Sequence, residues 1–260
     1  MDFAAKKAAL FTAHPGHVRR VYRWLEIAKP LVFVMTDGSG RNQLACLPCT
    51  TTVLENTGGR PGAIYGRWTD AWIYEAILNR DAGQFATATE ELADALIGEE
   101  IDYILGDASE GCECTHELCR YMVNSAVALV EKKTGRRILN YEFVLFGPPD
   151  ACPGALRDKA IRIDLDEAAL ARKIAAAKAY NPDFQHEVTQ QLEKFGTKPF
   201  MVEFLIPADM DSEWNSSKGK PHYEVCGEAL VLNQIYKDVI RYQDHFQPLV
   251  QVLRGSLGVA

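Results

Sequence analysis

Apolar and polar positions alternate between two periods along the first 150 residues. Ala8-Ala9-Leu10-Phe11-Thr12-Ala13 is a nearly unbroken apolar run halted by His14-Pro15-Gly16, the pattern of a strand buried on both faces. Val18, Val21, Tyr22, Leu25 and Ala28 then recur at helical spacing, with Arg19, Arg20, Arg23 and Glu26 on the other faces. Leu31 to Thr36 predicts a second strand, stopped by Asp37-Gly38-Ser39-Gly40. Helices are expected around Ala71 to Asn79 and Phe85 to Ile97, with a third strand at Tyr103 to Leu105. Cys119, Met122, Val123, Ala126 and Val130 mark a long helix, and Tyr141 to Phe146 a fourth strand closed by Gly147-Pro148-Pro149. Strands alternating with helices predict an α/β fold: a Rossmann-like, mostly parallel sheet flanked by helices.

Beyond residue 150 the pattern changes. Ala168 to Tyr180 reads as an Ala/Lys-rich surface helix, Phe200 to Ile206 as a strand, and Asp209 to Lys220 as a polar loop. Leu232, Ile235, Tyr236, Val239 and Phe246 predict a terminal amphipathic helix. No internal repeat or low-complexity tract is present. The expectation is a single domain over residues 1–260, with a core over 1–150 and a C-terminal α/β appendage over 151–260.

Composition narrows the function classes. The chain is 47% hydrophobic and 24% charged, enough apolar material for a sizeable core. Its formal net charge is −7 with no basic cluster, which argues against a nucleic-acid partner. Leu31 to Met35 and Ala126 to Val130 are the longest aliphatic stretches, far short of the roughly 20 residues a bilayer span needs. Ala8 to Phe11 is too short for a secretory signal core, so no membrane and a cytoplasmic location are expected. Seven cysteines, an odd number, fit a reducing compartment. Homo-oligomerisation stays open.

Candidate chemistry gathers after two strands. In open α/β sheets, ligands collect outside the carboxyl ends of the strands. His14 and His17, three residues apart in the turn after the first strand, are spaced to reach one metal ion. Gly106 to His116 follows the third strand, so its loop opens on the same edge. His14, His17 and His116 together make a three-His site with an open position. A rival set uses Cys112-x-Cys114-x-His116-x-x-Cys119, but Cys119 lies on the apolar stripe of its helix, where a buried thiol is ordinary. Cys46 and Cys49 flank Pro48, a turn signal, and carry no redox context.

The first strand ending in Ala13-His14-Pro15, the second ending in the Thr36-Asp37-Gly38 turn, and His116 at a later helix start resemble the PIG-L/LmbE-type deacetylases. That resemblance covers about the first 150 residues. It implies a Rossmann-like zinc enzyme that removes acyl groups from N-acylated sugars and related amines. Against the family's A-H-P-D-D-E motif, the first His falls on His14, the ligand Asp on His17, and the later His ligand on His116. The family's general-base Asp falls on Gly16, its Glu on Val18, and a frequent further His on Glu113. The base is therefore expected among neighbouring carboxylates: Glu110 first, in the Ser109-Glu110-Gly111 stretch, then Glu113, equally placed as a ligand, or Asp107.

Further positions carry less weight. Arg67 follows a Gly-rich turn and is a candidate to hold an oxyanion, or else to pair with Asp70. Asp37, with Ser39, sits after the second strand as a candidate substrate contact or simple turn former. His222 is a candidate to close over the site from the C-terminal part. His186 and His245 read as solvated. The resulting expectation is a metal-dependent hydrolase, N-deacetylase- or amidase-like, acting on a small polar N-acylated substrate. Its cofactor is a divalent ion, zinc ahead of iron. The alternatives are a metalloenzyme with altered, redox chemistry on the same scaffold, or a non-catalytic binding protein.

Overall fold

The computed structural model describes residues 5–40, 46–210 and 219–259. Its strands are β1 (Ala8–Thr12), β2 (Leu31–Thr36), β3 (Arg60–Trp68), β4 (Tyr103–Asp107), β5 (Leu139–Phe143), β6 (Ile161–Asp164) and β7 (Val202–Pro207). They form one seven-stranded sheet in the order β3-β2-β1-β4-β5-β7-β6. The first five are parallel; β7 runs antiparallel to β5 and β6 antiparallel to β7. The chain steps outward from β1 through β2 to β3, then returns to the other side of β1 for β4. The junction of β1 and β4 is thus the topological switch point, where loops of a doubly wound sheet part and leave a crevice.

Side chains of the central strands alternate between two cores, as the two-residue strand period requires. Ala9, Phe11, Leu31, Phe33 and Met35 enter one core, and Ala8, Leu10, Val32 and Val34 the other. The first is covered by α3 (Asp70–Leu78), α4 (Gly83–Gly98), α5 (Cys114–Thr134) and α9 (Gln247–Leu257). The second is covered by α1 (Tyr22–Ala28), α2 (Leu47–Thr57) and the end of α6 (Glu167–Tyr180). Helix α5 is buried along most of its length and all round, so its sequence shows no clean polar face. Helices α7 (Pro182–Phe195) and α8 (His222–Leu232) complete the shell. Among the described residues no helix is long and apolar enough to cross a membrane.

The four strands read from the sequence are present as β1, β2, β4 and β5, and the later run as β7, but β5 starts earlier than expected and leaves Val144 to Phe146 in the loop after it. Strand β3 escapes a periodicity reading because it is an edge strand carrying Pro61, Gly62 and Gly66, with register shifts against β2. Pro48 does not mark a turn: it occupies the first turn of α2, where its missing N–H is not needed. The expected terminal helix through Leu232 and Phe246 is not formed. Leu232 and Ile235 are 83% and 52% exposed, Asn233 and a positive φ at Gln234 end α8, and Pro248 begins α9. Residues 211–218 of the predicted polar loop lie outside the described residues.

One buried carboxylate fastens the later strands to the first half. Glu203 of β7 accepts the backbone N–H groups of Arg23 and Trp24 at 2.9 Å each and pairs with Lys173 of α6 at 2.8 Å. The two N–H groups lie in the first turn of α1, where no intrahelical acceptor exists. Glu203 and Lys173 are both almost fully buried. Glu203→Ala leaves a buried ammonium and two orphaned donors, and is expected to cost about 3–5 kcal/mol of stability. Urea unfolding of the variant checks this, and a loss below 1 kcal/mol contradicts the assignment.

Candidate metal centre

The backbone brings three imidazoles to the switch point. After β1, the N–H of Thr36 donates to Ala13 carbonyl oxygen at 2.9 Å, and Pro15 then starts a 3₁₀ turn over Pro15–Val21. His14 caps this turn and His17 stands within it. After β4, Glu113 is the N-cap of α5, its carboxylate accepting the His116 N–H at 3.1 Å. A carboxylate at a helix N-terminus is favoured by the exposed N–H groups there. The ring centroids lie 5.2 Å apart for His14 and His17, 5.1 Å for His14 and His116, and 4.6 Å for His17 and His116.

The ligand atoms of His14, Glu113 and His116 all lie within 4.8 Å of one another. Glu113 Oε2 is 3.4 Å from His14 Nε2 and 3.6 Å from His116 Nε2. His14 Nδ1 lies 2.9 Å from Thr36 Oγ1 and 2.9 Å from Asp70 Oδ1, which leaves Nε2 for the centre. His17 stands beside this trio with its Nδ1 held by Asp107 Oδ2 at 2.8 Å. The same oxygen accepts the Ala13 N–H at 2.7 Å, while Asp107 Oδ1 is buried without a hydrogen-bond partner.

The electrostatics call for a cation. Burial opposes charge on His14, but the hydrogen bonds and charges of Asp70 and Glu113 outweigh it and push its pKa up to about 10. Desolvation likewise opposes a charged Glu113, yet His14 and His116 hold it well below the usual carboxylate range. His116 is pushed down to about 3 by burial and by the neighbouring His17, so it is a neutral lone-pair donor. A proton on His14 is thus held between the carboxylates of Asp70 and Glu113, with the neutral His116 imidazole beside it. A divalent ion fits that donor set and that charge.

Other residues singled out by the sequence have different partners. The Glu110 carboxylate accepts Leu145 N–H at 2.7 Å and Phe146 N–H at 3.3 Å. Asp107 is fully buried and occupied by His17 and Ala13. Arg67 pairs with Glu91, while Asp70 turns to His14 instead. Asp37 accepts the Ser39 N–H at 2.9 Å and so builds its own turn. His222 is exposed, 3.4 Å from Cys226 Sγ. His186 is exposed beside Gln190, whereas His245 is half-buried and accepts the Arg241 N–H. The cysteines are free thiols; Cys114 and Cys119 are buried, and Cys119 Sγ faces Phe11 carbonyl oxygen at 3.7 Å.

Sequence reasoning missed three contributors. Asp70 reaches His14 because Thr69 caps α3 directly after β3, and an unread strand hides the residue that follows it. Glu117 accepts the Ser109 hydroxyl and the N–H groups of Glu110 and Gly111, folding that turn onto α5, and burial pushes its pKa up to about 7. Phe184 of α7 fills the space beside Gly16: a Cβ at residue 16 would lie 2.5 Å from Phe184 Cζ. Glu at the start of a helix was a readable signal; the Phe184 contact had none.

No family model matches the chain, and no curated protein matches it. Among solved structures it is similar to the A40926 pseudoaglycone deacetylase Dbv21, at 16% identity and a TM-score of 0.49, over 80% of this chain and 99% of that one. It is also similar to a deacetylase of teicoplanin biosynthesis, at 13% identity and a TM-score of 0.48, over 79% of this chain and 100% of that one. The zinc-inhibited form of teicoplanin deacetylase Orf2 matches at 11% identity and a TM-score of 0.43, over 79% and 100% of the two chains.

Proposed function

We propose that the chain is a metal-dependent hydrolase that cleaves the C–N bond of an amide in a small, polar, N-acylated molecule. The observation that carries this reading is the meeting of His14, Glu113 and His116 donor atoms within 4.8 Å at the switch point. Two imidazoles and a carboxylate are the donor set of open hydrolytic zinc sites, and the same set also holds mononuclear iron(II), so the donors fit either ion. When bound, the ion supplies Lewis-acid polarisation of the amide carbonyl.

The rest falls to the chain's own side chains. Thr36 and Asp70 fix the His14 ring, so its Nε2 is presented without reorientation. Asp107 holds His17 through Nδ1, the arrangement that orients an imidazole for proton transfer at Nε2. In this reading His17, in place of the side chain that position 16 lacks, takes a proton from the attacking water as its oxygen bonds to the amide carbon, and gives that proton to the nitrogen as the C–N bond breaks, releasing the carboxylic acid and the free amine. Glu110, spent on two backbone N–H groups, has no part in that transfer.

One observation favours a second reading, a metalloenzyme with altered, redox chemistry: Phe184 closes the space at Gly16 where the resemblance implies a base. Elemental analysis of protein purified without added metal, followed by amine release from a panel of N-acetylated amines and amino sugars, tests both. The hydrolase reading expects about one zinc per chain and amine release. Stoichiometric iron without hydrolysis moves the redox reading ahead. Absence of stoichiometric metal even after incubation with zinc overturns both in favour of a binding protein.

A further inference from the structure

The loop after β5 presents an apolar ring to the candidate centre. Phe146 is 46% exposed, and its ring lies 5.9 Å from the His116 ring, centroid to centroid, tilted by 38°. Single exposed aromatics are ordinary on protein surfaces. This one is held in place with unusual care. Its own N–H and that of Leu145 donate to the Glu110 carboxylate, the Arg20 guanidinium donates to Leu145 carbonyl oxygen, and the buried Leu145 side chain anchors the loop from below. Gly147-Pro148-Pro149 follows, and prolines restrict what the backbone can do next. Burial pushes the Glu110 carboxyl pKa up, while the two backbone N–H bonds from the loop favour its charged form.

We propose that Phe146 is a specificity-determining residue, forming an apolar wall for a hydrocarbon group next to the scissile amide, and that Glu110 is the positioning residue that sets it against His116. This rests on the reading of His14, Glu113 and His116 as the reacting centre. The ligand class is an amide bearing an apolar substituent of a few carbons beside the C–N bond. The wall extends selectivity in the ordinary way: each methylene laid against it is worth about fourfold in affinity.

The test separates this inference from hydrolysis. Kd is measured by calorimetry for straight-chain carboxylates from acetate to hexanoate, and for straight-chain amines of the same lengths. These are the two product halves of such amides. Wild type is expected to tighten about fourfold per methylene in one series, which identifies the acyl or the amine side. Phe146→Ala is expected to flatten that series while leaving the shortest member unchanged. Wild-type binding that is flat in both series, or a slope that survives Phe146→Ala, overturns the proposal. A slope lost in Phe146→Ala without any amide hydrolysis keeps the wall and removes the hydrolase reading.

Glu110 is examined in the same series and in turnover. Glu110→Gln keeps an acceptor for the loop and is expected to retain kcat with less than a threefold rise in KM. Glu110→Ala is expected to raise KM for the longer substrates at least tenfold, with kcat on the shortest nearly unchanged. A fall of kcat by 10² or more in Glu110→Gln at constant KM makes Glu110 the base and overturns its positioning role.

Discussion

Glu113→Gln is expected to lose the bound metal and lower kcat/KM by about 10²–10⁴, several kcal/mol of transition-state stabilisation. The substitution keeps the side chain's shape but removes the charge that His14 and His116 share. It also weakens the cap of α5, at a cost of about 1 kcal/mol, so the protein stays folded while its site empties. His14→Ala and His116→Ala are expected to behave alike in metal content. His186→Ala, exposed on α7 beside Gln190, is the control and should change neither metal nor turnover. Full metal content and full turnover in Glu113→Gln would remove the carboxylate from the ligand set.

The second large effect concerns residue 16. An aspartate there would place its Cβ 2.5 Å from Phe184 Cζ and 2.7 Å from Cε2. The ring cannot simply swing away, since Arg19 stacks on it at 3.5 Å and Tyr180 packs at its edge with centroids 5.1 Å apart. Gly16→Asp alone is therefore expected to destabilise by about 1–3 kcal/mol through overpacking, a fall of about 2–4 °C in Tm per kcal/mol. It should add no turnover. In the Gly16→Asp/Phe184→Ala double variant the clash is gone, and the double-mutant cycle should show favourable coupling of about 1 kcal/mol or more. If a carboxylate at position 16 faces the reacting bond, amide hydrolysis in the double variant rises by about 10²–10⁴. Equal stability of Gly16→Asp and wild type contradicts the packing argument. A double variant without added turnover shows that a carboxylate at position 16 does not reach the reacting bond.

How far the sequence speaks depends on how local each feature is. β1, β2 and β4 are short apolar runs buried on both faces, and such runs announce themselves without long-range information, whereas β5 buries only the alternate positions Tyr141 and Phe143. The approach of His14, His17 and His116 was legible because strand ends and helix starts on one edge of a parallel sheet must lie close together. The holders of those rings were not. Asp70 follows an irregular edge strand, and Asp107, read only as a candidate base in the loop after the third strand, ends β4 and holds His17. Nor does the Ser109-Glu110-Gly111 stretch reveal what Glu110 binds. The two N–H groups that bind its carboxylate lie 35 and 36 residues away, and no local pattern marks them. Phe184 meets Gly16 only because α7 packs back over the first turn, a contact set by tertiary assembly alone.

The strand order also dictates a sequence of events in time. β7 lies between β5 and β6, although β6 is made first, and among the described residues β6 has no sheet neighbour except β7. A nascent chain that has emerged only as far as residue 195 owns five parallel strands but must leave the flank of β5 bare, with β6 unable to join. Its α1 terminus also lacks the Glu203 acceptor for two N–H groups. At about 5–20 residues per second that open flank persists for no more than a few seconds of synthesis. A chain stalled or truncated there would carry a permanently unpaired edge, the kind that recruits strands from other molecules.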